Sequence, residues 1–215
     1  MKASFRFIIT LAAGLTALTL TADETEVKTP VPGFRPECES AADFADRIGS
    51  VTVRIYPTVI RTPVTTSFSK ESQQQIVDYL NRKGIAKAVA AASPIDPGEL
   101  TGRGQFDWFQ NDMTVIGEAV GQQAIGESYA MVMEVLFPPQ RGSMQSVFGI
   151  HCIVLDASGS NAFSFLLNSH HQVFVDAAMT SDDGSERSRA ELVRKATEVG
   201  LEALTAQIAA EKENL

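Results

Sequence analysis

The 215-residue chain carries 18 Lys and Arg against 26 Asp and Glu, a formal net charge of −8. An acidic balance with no basic stripe argues against a nucleic-acid partner, because phosphates would be repelled. Two cysteines and three histidines, with no C-x-x-C and no Cys/His ligand spacing, supply no linear metal motif, so no metal or other cofactor is expected.

In chain order, Lys2 and Arg6 precede the apolar run "FIITLAAGLTALTL", and a small residue, Ala22, stands before acidic sequence. This is the pattern of a secretory signal peptide, so residues 1–22 are predicted to be removed and the mature chain to begin near Asp23. The run is shorter than the roughly 20 residues that span a bilayer, and no second apolar run is long enough to span one. A periplasmic or secreted protein is expected, without a stable membrane span after cleavage. Loss of Lys2 and Arg6 leaves 16 basic against 26 acidic residues, a net charge of −10.

Residues 23–50 read as a proline-punctuated tether followed by a short helical lead-in, "ESAADFADRI". A single α/β domain is predicted over 51–215. "VTVRIYP" alternates Val51, Val53 and Ile55 against polar neighbours, a strand with one buried face. "SKESQQQIVDYLNRKG" follows as a helix, with Ser69 as N-cap and Gly84 as C-terminal stop. "AKAVAAASPI" reads as a small, fully buried strand, and Pro94, Pro97, Gly98, Gly102 and Gly104 mark a long loop.

Phe109, Met113, Ile116 and Val120 predict a helix over roughly 107–121. Phe106, Trp108 and Phe109 form an aromatic cluster at its start, assigned to core packing. "SYAMVMEVLF" is a third strand, and "PPQRGSMQS" an exposed linker. Two more strands, 147–155 and 162–168, and a long helix over 187–211 with Leu192, Ala196, Val199, Ala203 and Leu204 inward complete the chain. The order β-α-β-α-β-β-β-α implies parallel neighbours in the first half and antiparallel hairpins in the second, a mixed sheet packed by helices. Cys152, alternating with Phe148, Ile150 and Val154, is expected in the core. Cys38 lies beside the tether, so a Cys38–Cys152 bridge is not expected.

"IVLDASGSNAFSF" invites a catalytic reading, since Asp156 ends an apolar strand as does the nucleophile in D-x-D-G-[TV] of the haloacid-dehalogenase phosphatases. That chemistry needs a second acid two residues on, where this chain has Ser158. Asp156 and Gly159 are therefore assigned to a structural turn joining two strands. Adjacent His170 and His171 point to opposite faces of an extended segment, and His151 reads as a partly covered strand residue. No catalytic residue is assigned. The rivals are a secreted hydrolase assembled from dispersed residues such as Asp156, His151 and His170, and a small-ligand binding domain. Convergent, perturbed ionisable groups in a pocket would favour the enzyme; an exposed apolar patch beside a strand edge would favour an interaction module.

Two stretches carry a resemblance. "AIGESYAMVMEV", residues 124–135, resembles the helix-to-strand passage of bacterial envelope α/β domains: the curli-secretion lipoprotein CsgG, the amino-terminal domain of TolB and the penicillin-binding-protein activator LpoB. Gly126 and Tyr129 match its helix-stopping glycine and strand-opening aromatic. Residues 153–165 resemble the hairpin of the same domains, with Asp156 and Gly159 matching. This chain has no lipobox cysteine, no propeller and no channel-forming hairpin, and Ser158 stands where Thr is usual. The resemblance implies the α/β fold and a non-catalytic role binding envelope proteins, through a sheet edge or the loops "SPIDPGELTGRGQ" and "PPQRGSMQS".

Overall fold

The computed structural model describes residues 39–139 and 142–213. The predicted signal peptide, the predicted tether and Cys38 lie outside the described residues. The fold is α/β, a mixed sheet with helices on both faces. Its strands in chain order are β1 (Glu39–Ser40), β2 (Thr52–Ile55), β3 (Thr58–Thr62), β4 (Thr65–Ser69), β5 (Lys87–Ala90), β6 (Tyr129–Leu136), β7 (Gln145–Ser146), β8 (Gly149–Leu155), β9 (Asn161–Asn168) and β10 (Thr180–Ser181). The helices are α1 (Phe44–Arg47), α2 (Lys70–Lys83), α3 (Gln105–Gly121), α4 (Gln172–Asp176) and α5 (Glu186–Glu213).

The sheet runs β1-β9-β8-β6-β2-β5, with β3 also on β6 and β4 outside β3; β7 and β10 form a separate pair. β2 lies parallel to both β5 and β6, while β6, β8 and β9 form an antiparallel meander. Those are the two halves implied by the order of predicted elements. β6 and β8 are buried on both faces, as their nearly unbroken apolar sequences require. No helix among the described residues is long and apolar enough to cross a membrane.

Local signals account for the ends of α2. Ser69 accepts from the Ser72 backbone N–H at 3.1 Å, and Gly84 closes the helix in the left-handed conformation at φ 66°. The main core lies between one sheet face and α1, α2 and α5, where Ile76, Leu80, Ala196 and Leu204 meet Val53, Met131 and Ile150. A smaller core lies under α3, where Phe109, Ile116 and Val120 meet Val132, Ile153 and Leu166.

Several expectations are corrected. The lead-in belongs to the domain: β1 pairs with β9, and the buried Phe44 ring stacks on Phe163 at 4.9 Å between centroids. β5 is an edge strand with only Ala88 buried, because no strand among the described residues covers its outer side. Phe148 precedes β8 and is exposed rather than in line with Ile150 and Cys152. Phe106 is exposed, so of the aromatic cluster only Phe109 is fully in the core. The linker after β6 contains β7, with Gln145 buried against β10.

The hairpin β3–β4 was not anticipated. Its turn is made by Thr62, whose hydroxyl accepts from the N–H groups of Val64 and Thr65 around Pro63. β2 and β3 are one strand interrupted at Tyr56–Pro57. Ile55 pairs with Met131 and Val59 with Glu134, so four residue steps on one strand oppose three on the other. The extra residue is a bulge, and proline supplies no N–H to the ladder there. Val53 and Ile55 face the main core, whereas Val59 faces α3. Arg61, two residues on, is turned to the same side.

Candidate functional site

Beneath α3 the small core gives way to charge. Along β6, Ala130 and Val132 face α3, and the next residue on that side is Glu134. The register sets His151 of β8 directly opposite it and Val59 of β3 on its other flank. α3 supplies Asp112, one turn after Phe109, and Gln105 at its first position. Arg61, Asp112, Glu134 and His151 are each at most 1% exposed.

Ionised groups so buried must be paired, and here they are. One guanidinium nitrogen, Arg61 Nη1, donates to Asp112 Oδ1 at 2.7 Å and to Glu134 Oε1 at 2.8 Å. The other, Nη2, donates to the Gly98 carbonyl at 2.8 Å, which ties the 91–104 loop to the site. His151 Nδ1 lies 2.7 Å from Glu134 Oε2. Asn168 Nδ2 donates to Gln105 Oε1 at 3.0 Å, which aims the Gln105 amide nitrogen at His151 Nε2, 3.3 Å away. An amide that donates to Nε2 and a carboxylate that accepts from Nδ1 together fix the tautomer with hydrogen on Nδ1. The Phe109 ring meets the imidazole edge-on at 4.9 Å. Gly149 makes room for this arrangement, because a Cβ there would overlap the Gln105 amide.

One acceptor is left over. Asp112 Oδ2 is buried, has no hydrogen-bond partner and lies 3.8 Å from His151 Nδ1. Burial, and then the negative Glu134 beside it, push the Asp112 carboxyl up to about 8 against the pull of Arg61. Burial acts upward on Glu134 too, but the hydrogen bond from His151 and the charge and bond of Arg61 outweigh it and hold Glu134 well below the usual range. A single guanidinium thus faces two carboxylates, and the proton settles on the less well served one.

The network lies under a band of surface depressions. Thr62–Thr66, Glu99 and the edge of Arg61 line one. Pro63 and Leu100 continue it into an apolar depression with Trp108, Phe137 and Pro138. Phe148 joins that to a third, floored by Gln105 and Asn168 with Phe106 on its wall. Of eight exposed large apolar residues among the described residues, four (Val64 88%, Phe106 51%, Met144 52%, Phe148 42%) lie along this band or the groove continuing it past Pro138. Beside it runs β4, paired among the described residues only to β3 and carrying no charged residue.

The residues singled out in the sequence are placed as follows. Asp156 Oδ1 accepts from the Ser158 N–H, the Ser158 hydroxyl and the Ser160 N–H, and Gly159 has φ 83° and donates to the Asp156 carbonyl. Gly126 does not stop a helix: α3 ends at Gly121, and Gly126, at φ 64°, turns the chain into β6, where the buried Tyr129 meets Phe44. His151 is fully buried rather than partly covered, since α3 lies over it. Asp156, His151 and His170 do not converge. The antiparallel register puts Asp156 past one end of β8 and His170 beyond the other.

Arg61, Asp112 and Glu134 were missed. Glu134 is the one charge in the apolar run from Tyr129 to Leu136, and Asp112 adjoins the apolar stripe of α3 between Phe109 and Ile116. A charge at a core position implies a buried partner, and that signal was available. The bulge that turns Arg61 toward them has no comparable mark in the sequence beyond Pro57. No family model matches the chain, and no curated protein matches it.

Proposed function

We propose that the chain is an exported, non-catalytic interaction or assembly module of the bacterial envelope, binding a protein partner through the apolar band and the free β4 edge. The observation that carries this reading is the gathering of Val64, Phe106, Trp108, Met144 and Phe148, from separate segments, along one end of the sheet. Contiguous apolar surface beside an unpaired strand edge is how many domains take up a partner. The amino-terminal pattern of residues 1–22 and the likeness of residues 124–135 and 153–165 to envelope α/β domains support the location.

The buried network fits the same reading. Arg61 and Gln105 tie the 91–104 loop and the start of α3 to the sheet, so the aromatic residues of α3 are held on a fixed base. A hydrolase would need substrate to reach these groups, and Arg61, Asp112, Glu134 and His151 are at most 1% exposed.

The test is site-specific photo-crosslinking in cells that export the chain, with the crosslinking residue in place of Phe106, Phe148 or, as control, the exposed Glu202 on α5. The same partner should be captured from 106 and 148 and not from 202. No capture from the first two, or equal capture from the third, would overturn the reading.

A further inference from the structure

We propose that Asp112, Glu134 and His151 form a site for one divalent transition-metal cation of the zinc or manganese kind, with Arg61 as the group that orients the two carboxylates. One ligand atom from each of the three residues lies within 4.8 Å of the others. One His and two carboxylates is a donor set such cations accept. Arg61 does not occupy the ligand atoms. It binds Asp112 Oδ1 and Glu134 Oε1, and so presents Asp112 Oδ2 and Glu134 Oε2 to the histidine side. Outer-shell donors of this kind position metal-binding carboxylates in known sites.

Asp112 Oδ2 is the independent pointer to a ligand: a buried carboxylate oxygen with no hydrogen-bond partner, 3.8 Å from His151 Nδ1. Binding displaces the proton held by Asp112; the two ionised carboxylates and Arg61 then sum to one negative charge in a dry interior, which the cation compensates. Binding at Nδ1 requires its hydrogen to move to Nε2. Gln105 must then turn its Oε1 to accept it, giving up its bond to Asn168. Since the ligand residues are buried, the cation enters during folding or through a transient opening of α3.

The untagged, chelator-treated full chain is titrated with Zn²⁺, both in the folded state and during refolding. Bound metal is measured by equilibrium dialysis, and the thermal midpoint is recorded. One equivalent per chain is expected, with a rise of roughly 5–10 °C at a hundredfold excess over Kd. Asp112→Asn should lose the bound equivalent and the rise, and His170→Gln, at an exposed histidine, should keep both. No bound equivalent in the parent, or retention in a folded Asp112→Asn, would overturn the site. If Asp112→Asn does not fold, ¹⁵N spectra of the parent decide. A zinc-dependent shift at His151 Nδ1 supports the site, and a shift confined to His170 or His171 overturns it.

Discussion

Gly159, at the tip of the β8–β9 turn, packs its backbone against Gly117 of α3. A Cβ on Gly117 would stand 2.7 Å from the Gly159 carbonyl oxygen, and a Cβ on Gly159 would overlap the Gly117 carbonyl. The turn glycine therefore answers two demands, positive φ and close approach to a helix, of which the sequence suggests only the first. Gly84 also has positive φ but open space around it. Gly84→Ala is expected to cost about 1 kcal/mol, from the left-handed backbone alone. Gly159→Ala should cost that and a further 1–3 kcal/mol or so of overpacking. Denaturant unfolding of the two variants reads the difference, and equal losses would show that the helix contact is not felt.

Asp156 acts through one oxygen. Since Oδ1 accepts all three turn hydrogen bonds, Asp156→Asn keeps the geometry and should lose only about 0.5–1.5 kcal/mol near neutral pH. Burial raises the Asp156 carboxyl, but the bonds from Ser158 and Ser160 prevail and leave it below its ordinary value. A depressed folded pKa stabilises above the unfolded value, about 3.9, and that contribution is lost as pH falls through the depressed value. The parent should therefore lose more stability than Asp156→Asn as pH falls below about 4. Parallel acid limbs for the two proteins would contradict the assignment.

Burial separates two kinds of ion pair in this chain. Arg194 meets Glu191 and Glu198 on the surface of α5, with about half of each side chain exposed or more; Arg194→Ala should cost at most about 1 kcal/mol. Arg61→Ala leaves two buried carboxylates facing each other and should cost about 3–5 kcal/mol. Arg61→Lys should recover little of it, because an ammonium lacks the fork that reaches both carboxylates and the Gly98 carbonyl. Comparable midpoints for Arg61→Ala and Arg194→Ala would show that the network does not hold α3 in place.

What was legible in the sequence follows from how local each signal is. Ser69 and Gly84 bound α2 through contacts within one turn, and the unbroken apolar runs of β6 and β8 mark a strand buried on both faces. The β3–β4 hairpin was not legible because Thr62 turns the chain by a side-chain hydrogen bond without Gly or Asn. The charged network depends on residues far apart in the chain and on a one-residue bulge that reverses the facing of Arg61. Glu134, and less plainly Asp112 beside the apolar stripe of α3, announced it, as charges where apolar residues pack. Phe148 misled for the opposite reason: its alternation with Ile150 continues past the end of the strand, where no pleat enforces it.

The apolar band is the centre of the account, and the most direct measurement leaves the fold alone. Phe106 and Phe148 are about half exposed, so the double variant Phe106→Ser, Phe148→Ser should cost only on the order of 1 kcal/mol in stability. With a photo-crosslinking residue at Val64, on the hairpin tip beside the band, capture of the partner is compared between the parent and this variant in cells. The expected result is capture reduced at least about tenfold with a nearly unchanged thermal midpoint, as for the loss of aromatic anchors from an interface. Undiminished capture by a folded double variant would contradict the proposal that this band is the binding surface.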